Sequence, residues 1–381
     1  MTNGSHPGSV LLFRVVLVLL VLVLGFMTHP VLSASSFQST SPPSSSLLTT
    51  TDTTTDTTTA DTAWQLPRRA HVVVTGATKG IGKALVEEFL RVDTTCQLLV
   101  CARTSHDLET QVREWNHHRY HHQNRRNDPS SSSQSSRRVV GVVADVSTEQ
   151  GRQHLMEEIT KWLDGHSLDV LIHNVGTNRR KGSLEYTMED WQFLVNTNLL
   201  SVVELTRHCV PLMTTRTRRN PNQKQNDTND NEDTNDTDTP TSTSSSSTSS
   251  SSTTLSFTPS ILLIGSVAGV TCLPTGTPYA ATKAALNQLT GNWACEFANH
   301  PIRVNCICPW YIATELAQQV LQNPNYHQRV VAKTPLGRIG LPREVAGLAV
   351  FLSLPVANYI TGQVICVDGG FTRNGFYPDF V

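Results

Sequence analysis

HVVVTGATKGIG, residues 71–82, decides the fold. Its first five residues form a short β-branched run of strand type, and Gly76, Gly80 and Gly82 follow directly. Glycines at this spacing let the chain turn tightly and bring backbone N–H groups up to a phosphate where a helix begins. A glycine motif by itself matches many turns. Placed after a strand and before an amphipathic stretch, it reads as a nucleotide site.

Outward from that turn, six more short apolar runs recur at 97–102 (QLLVCA), 139–144 (VVGVVA), 168–172 (LDVLI), 261–265 (ILLIG), 302–307 (IRVNCI) and 364–367 (VICV). They are apolar throughout rather than alternating, as expected of parallel strands covered on both faces. Amphipathic stretches of helical length lie between most of them. The predicted fold is α/β, a Rossmann-type doubly wound parallel sheet whose ligand site lies at the carboxyl ends of the strands.

The chain has 381 residues, which at first suggests two or three domains. Only 38% of them are hydrophobic and 16% charged, because Ser, Thr and Asn runs dilute the composition. Setting aside 1–66, 115–137 and 214–258 leaves about 250 residues, enough for one large α/β domain with a buried core. That domain is expected over 67–381, with the two inner segments as disordered inserts. Each insert falls between a helix and the next strand, on the rim away from the site. His117, His118, His121 and His122 have i, i+4 spacings that suit a metal, but they sit in a polar run and read as a solvated loop. Asn226 and Asn235 open N-x-T sequons.

Residues 1–36 read as a signal peptide or an uncleaved signal anchor: Val15 to Met27 is apolar, and Ala34 and Ser36 give a cleavage pattern. The hydroxyl-rich leader 37–66 resembles the second part of the two-part leaders that reach algal plastids through the endoplasmic reticulum. Asp52, Asp56 and Asp61 weaken that likeness. Entry to the secretory route is expected, with the plastid, the endoplasmic reticulum and a membrane anchor as alternative ends. A net charge of −1 supplies no field for nucleic acid. The eight cysteines form no C-x-x-C pair and sit in apolar runs, so most read as buried hydrophobes, and no metal site is expected.

Tyr279 and Lys283 lie four apart on one helical face, and Ser266 follows the fifth strand at the same rim. A free Tyr titrates near pH ~10, too high for acid–base work at neutrality, whereas a nearby ammonium favours phenolate. The second strand ends at Ala102-Arg103 with no acid to accept a ribose hydroxyl; Arg103 and Lys79 suit a 2′-phosphate, which favours NADP(H).

With these residues in order, the chain resembles the short-chain dehydrogenase/reductase family, in its tropinone-reductase-like branch. The likeness runs from about His71 to Phe376 outside the inserts, through TGATKGIG, ADVS (144–147), HNVGTN (173–178), NTN (196–198), SVAG (266–269), YAATK, PWYIATEL (309–316) and ITGQVICVDGG (360–370). The resemblance implies that Tyr279 is the general acid in reducing a ketone to an alcohol, Lys283 its partner at the nicotinamide ribose, Ser266 the carbonyl-orienting hydroxyl and Asn198 the holder of a relay water. It places Thr75, Gly76, Lys79, Gly80, Ile81 and Gly82 around the phosphates and Arg103 at the 2′-phosphate. Asp145 and Val146 would flank adenine, Asn174 and Gly176 the ribose, and Ile312 and Thr314 the carboxamide. His173 and Trp310 depart from the usual Asn and Gly. The family likeness further implies a lid over 315–340 and a homodimer or homotetramer. Trp310, Tyr311, Tyr326 and His327 are pocket candidates. A β-ketoacyl carrier-protein reductase, with Arg179, Arg180 and Lys181 as a docking patch, and a catalytically silent nucleotide-binding scaffold are the competing readings.

Overall fold

The seven apolar runs pair side by side into one sheet. A computed structural model describes residues 62–93, 95–123, 138–214 and 256–375, leaving aside the side chains of 118–123. Its strands are β1 (His71–Thr75), β2 (Gln97–Ala102), β3 (Val139–Val143), β4 (Val170–His173), β5 (Ser260–Ile264), β6 (Arg303–Pro309) and β7 (Val364–Val367). They run in the order β3-β2-β1-β4-β5-β6-β7, and every neighbouring pair is parallel. The order reverses between β1 and β4, and a crevice opens beyond the strand ends at such a reversal.

Alternate residues of each strand enter two different cores, which explains why the strands carry no polar face. Val72, Val74, Leu98, Val100 and Ile172 join one apolar cluster with Leu85, Val86 and Phe89 of α1 (Gly80–Val92) and Val345 and Ala349 of the helix Pro342–Ser353. Val73, Leu99 and Leu171 point the other way. They meet Leu155 and Ile159 of the helix Glu149–Leu163, Val202 and Leu205 of Ser201–Met213, and Leu286 of Thr277–Glu296. In chain order the helices are α1, α2 (Ser105–Gln123), α3 (Glu149–Leu163), α4 (Met188–Val195), α5 (Ser201–Met213), α6 (Thr277–Glu296), α7 (Glu315–Leu321), α8 (Pro324–Ala332) and α9 (Pro342–Ser353).

The structure moves three expected boundaries. Helix α2 continues through Gln123, so the first insert begins after 123 rather than at 115. Trp115 is buried, and Asn116 fastens the far end of the insert: its side-chain oxygen accepts from Arg138 and Val139 N–H at 3.2 Å each, and its Nδ2 donates to the Val139 carbonyl at 3.0 Å. The second insert closes earlier than 258, because Phe257 packs on the core and the Ser256 carbonyl accepts from Asn358 at 2.6 Å. The domain also begins before 67: Leu66 is buried and the Ala63 carbonyl accepts from Val356 N–H at 2.9 Å. The leader 1–61, the sequons and most of both inserts lie outside the described residues. Among the described residues no helix is long and apolar enough to cross a membrane. Cys96, Cys101, Cys209, Cys306 and Cys308 are buried as expected, whereas Cys272 and Cys295 are exposed.

His173, at the end of β4, faces α5, where its Nε2 lies 2.9 Å from Thr206 Oγ1. Burial disfavours the imidazolium and pushes its pKa down from 6.5 to about 3. Between those values the unfolded chain binds a proton that the folded chain refuses, so stability rises with pH across this window and is lost on acidification. At about pH 4.5 this residue should contribute a loss of about 2–3 kcal/mol relative to neutrality. His173→Gln should be less stable at neutral pH yet decline less steeply between about pH 6.5 and 4.5. Parallel thermal-melt curves for the two proteins would rule this assignment out.

Candidate functional site

Where β1 and β4 end side by side, short polar contacts fix the rim. Thr75 Oγ1 accepts from Asn174 N–H at 3.0 Å and Val175 N–H at 3.2 Å. The Asn174 amide donates back to the carbonyls of Thr75 and Gly76 at 3.0 and 2.9 Å. This clamp sets the first turn of the glycine loop. Gly76 has φ +67°, and a Cβ on Gly82 would lie 2.1 Å from the Gly76 carbonyl oxygen. The bare backbone therefore forms a cradle that side chains would fill.

The cradle opens into a cleft of about 1080 Å³ along the carboxyl ends of the strands. Of the expected site residues, Gly76, Lys79, Gly80, Ile81, Gly82, Arg103, Asp145, Val146, Asn174, Gly176, Ser266, Tyr279, Lys283, Ile312 and Thr314 line it together. Thr75 and Asn198 do not. Both are buried behind the wall. Lys79 stands 3.4 Å from Asp107 and 3.5 Å from Glu315, whereas Arg103 is exposed without an ion pair among the described residues. Asp145 accepts from Ser147 N–H and Oγ at 3.0 and 2.7 Å, which shapes its own loop.

Beyond β5, Ser266 caps a short helical turn by accepting from Ala268 N–H at 3.1 Å. Gly265 before it leaves room for the sulfurs of Cys306 and Cys308, which an added Cβ would meet at 2.6 and 2.8 Å. Helix α6 brings up Tyr279 and, one turn on, Lys283, whose Nζ donates to the Ile264 carbonyl at 2.7 Å. Burial pulls the Lys283 pKa down to about 8. Enclosure pushes the Tyr279 phenol above its ordinary value, against the pull of a hydrogen bond with Ser266 and the charge of Arg180. Lys283 Nζ stands 5.7 Å from the centre of the Tyr279 ring while it donates to the Ile264 carbonyl.

Asn198 lies in a π-helical turn, Asn196–Leu200, between α4 and α5. Its Oδ1 accepts from Thr177 N–H at 2.9 Å, and its Nδ2 donates to the Thr177 carbonyl at 3.0 Å and Thr282 Oγ1 at 3.2 Å. These three bonds buttress the loop that carries Gly176. A Cβ on Gly176 would sit 3.0 Å from Lys283 Nζ, so this glycine leaves space for the ammonium.

Over the other end of the cleft, α7 and α8 form a small apolar satellite around Ala317, Leu321 and Val330. This segment therefore has a small core of its own, and Leu316 stays exposed on the cleft side. Trp310 stacks on Phe371 at 3.7 Å, and the Tyr311 and Tyr326 hydroxyls meet at 2.7 Å. Those three expected pocket residues line the cleft; His327 does not. Cys272 and Leu273 also line it without a local sequence pattern that marks the rim, as does Asn178, the last residue of HNVGTN.

A family model for short chain dehydrogenases matches residues 70–220, and one described as enoyl-(acyl carrier protein) reductase matches 238–372. A tropinone reductase homologue of Arabidopsis thaliana is 36% identical over 83% of this chain and 97% of its own length. A chloroplastic tropinone reductase homologue of the same plant is 36% identical over 80% of this chain and 76% of its own length. The crystal structure of L-sorbose reductase from Gluconobacter frateurii, complexed with NADPH and L-sorbose, superposes with a TM-score of 0.61 at 25% identity. That superposition covers 81% of this chain and 98% of the other.

Gly82→Ala should destabilise the fold by about 2–3 kcal/mol and abolish dinucleotide binding, because its Cβ meets fixed backbone. Gly291, in α6 with nothing within 4 Å of an added Cβ, is the control. Gly291→Ala should be neutral or stabilising by up to about 1 kcal/mol. Thermal melts and a fluorescence titration with reduced nicotinamide nucleotide check both; equal behaviour of the two variants would contradict the cradle.

Proposed function

The chain belongs to the short-chain dehydrogenase/reductase family, in its tropinone-reductase-like branch, and we propose that it is an NADPH-dependent carbonyl reductase that turns a ketone into an alcohol. The observation that carries this reading is the convergence of Ser266, Tyr279 and Lys283 on one open cleft, beside the glycine turn Gly76–Gly82.

The residues fit a nicotinamide dinucleotide. The turn Gly76–Gly82 offers N–H groups and the start of α1 to the pyrophosphate. Arg103, exposed and without an ion pair among the described residues, and Lys79 would take a 2′-phosphate; Asp145 and Val146 would flank adenine; Asn174 and Gly176 would line the ribose; Ile312 and Thr314 would face the carboxamide. When bound, the reduced nicotinamide supplies the hydride that reaches the carbonyl carbon. Ser266 orients the carbonyl oxygen with its hydroxyl, and Tyr279 gives that oxygen its phenolic proton. A phenol held protonated by its enclosure suits an acid. Lys283, with its pKa near neutrality, can hold and return a proton behind Tyr279. Asn198 spends both amide N–H donors within the wall, but its Oδ1 can accept twice and takes one bond from Thr177, so a relay water would be held by that oxygen or by backbone at the π-helical turn.

Among the competing readings, carrier-protein docking has a weakened basic patch, because Arg179 and Lys181 both bond to Asp190 at 2.6 Å. A silent scaffold would have no need of a buried lysine beneath a tyrosine. The hydroxyl-rich segment 37–66 and the plastid address of one relative together support a plastid location. A homodimer or homotetramer is the assembly we propose from the family's habit.

Ketone-dependent NADPH oxidation should be measurable and should fall about 10²–10⁴-fold in Tyr279→Phe. Arg103→Ala should raise KM for NADPH by about 10-fold while leaving that for NADH nearly unchanged. A Tyr279→Phe protein as active as the parent would sink the assignment of the acid; indifference of NADPH to Arg103→Ala would sink that of the phosphate site.

A further inference from the structure

Three consecutive cations follow β4, and the fold treats them unequally. Arg179 Nη1 and Lys181 Nζ each reach one oxygen of Asp190, a carboxylate whose side chain is 6% exposed. Lys181 first and then Arg179 hold its pKa far below the ordinary carboxylate range. Arg179 also stands 4.1 Å over the Phe193 ring. Both outer cations are thus tied to α4. Arg180 between them makes no ion pair among the described residues and lines the cleft, its guanidinium carbon 5.7 Å from the Tyr311 ring centroid. Its charge is felt by two hydroxyls, Tyr279 and Tyr311, and pulls the pKa of each downward against burial. Arg180 therefore lies within electrostatic reach of the proton donor itself.

Charge along the cleft is divided in the same sense. Three acids line it: Asp107 and Glu315 stand against Lys79 at the glycine turn, and Asp145 accepts from Ser147. At the end covered by the lid, Arg180 is joined by Arg329 and Lys333 of α8 and the residue after it, neither in an ion pair among the described residues. Aromatic walls from Trp310, Tyr311 and Tyr326 surround this end. Arg180 is exposed at the cleft, and its planar guanidinium can take a carboxylate through two parallel hydrogen bonds, a geometry that selects the group even where solvent screens the charge.

We infer that the ketone this enzyme reduces carries a carboxylate, which Arg180 binds beside the reacting carbonyl, and that a protonated amine on the substrate is disfavoured there. The inference rests on the reductase reading above and narrows it. It also separates this chain from the ketone for which its relatives are named, since tropinone carries an amine that is protonated at neutral pH. Arg180 acts here as a specificity-determining residue: it selects the substituent, while Tyr279 and Ser266 handle the carbonyl.

The test is a matched series on one ring: 4-oxocyclohexanecarboxylate, its methyl ester and 4-aminocyclohexanone, with NADPH, for the full chain and for Arg180→Gln and Arg180→Glu. The parent should favour the acid over the ester by about 10-fold or more in kcat/KM, as a charge-assisted pair implies. Arg180→Gln should lower the acid-to-ester ratio by about 10-fold, whatever it does to the ester alone. Arg180→Glu should shift preference to the amine, and added salt should raise KM for the acid more than for the ester. A ratio that stays the same in Arg180→Gln overturns the inference while the reductase reading stands. Calorimetric titration of the NADP-loaded protein with 4-hydroxycyclohexanecarboxylate and its methyl ester reads the same preference without turnover. A carboxylate preference that disappears in Arg180→Gln supports the inference even where no ketone in the series is reduced, and equal binding of the two overturns it.

Discussion

Everything at the working rim hangs on the seam between β1 and β4. Parallel strands leave their last carbonyls and N–H groups without partners at the carboxyl edge, and buried backbone groups of that kind must be satisfied. Asn174 does this for Thr75 and Gly76, and the Thr75 hydroxyl does it for Asn174 and Val175. The same few bonds set the start of the glycine turn and the path of the loop that carries Gly176, Arg179, Arg180 and Lys181. The nucleotide cradle and the specificity loop are therefore positioned by one constraint, from opposite sides of the sheet reversal.

Behind that seam the structure keeps charge only where it is held. Lys283 is buried against the Ile264 carbonyl, in space that Gly176 leaves open, and burial brings its pKa near neutrality. Asn198, in its π-helical turn, braces Thr177 and Thr282 with its amide and so fixes the wall of that space. A π turn inside an otherwise α-helical segment shifts the following residues around the axis, and such turns occur often at functional sites. The tyrosine, the serine and the lysine are exact in chemistry, but their alignment belongs to these supports.

Much of this was legible beforehand. The strand runs, the glycine turn, Ser266 and the Tyr279–Lys283 spacing are local patterns, and the residues they named meet in one cleft. The errors lie where tertiary contact decides. Trp115 and Asn116 look like the start of a polar insert, yet one side chain is buried and the other ties down β3. Sequence likewise does not show that Thr75 and Asn198 are buried behind the wall, each held there by hydrogen bonds. Arg179, Arg180 and Lys181 read as one basic patch because sequence cannot show that Asp190 lies opposite two of them.

The sequence alone determined the class of fold, the order of its elements and the residues capable of the chemistry, because periodicity, turn glycines and helical spacing act over a few residues. Tertiary structure decided which charges are neutralised and which face the cleft. It also decided which hydroxyl or amide is occupied and which proton donor feels which cation. Those outcomes depend on groups distant in the chain brought within a few ångströms of each other, where burial and Coulomb interaction become strong enough to choose among them.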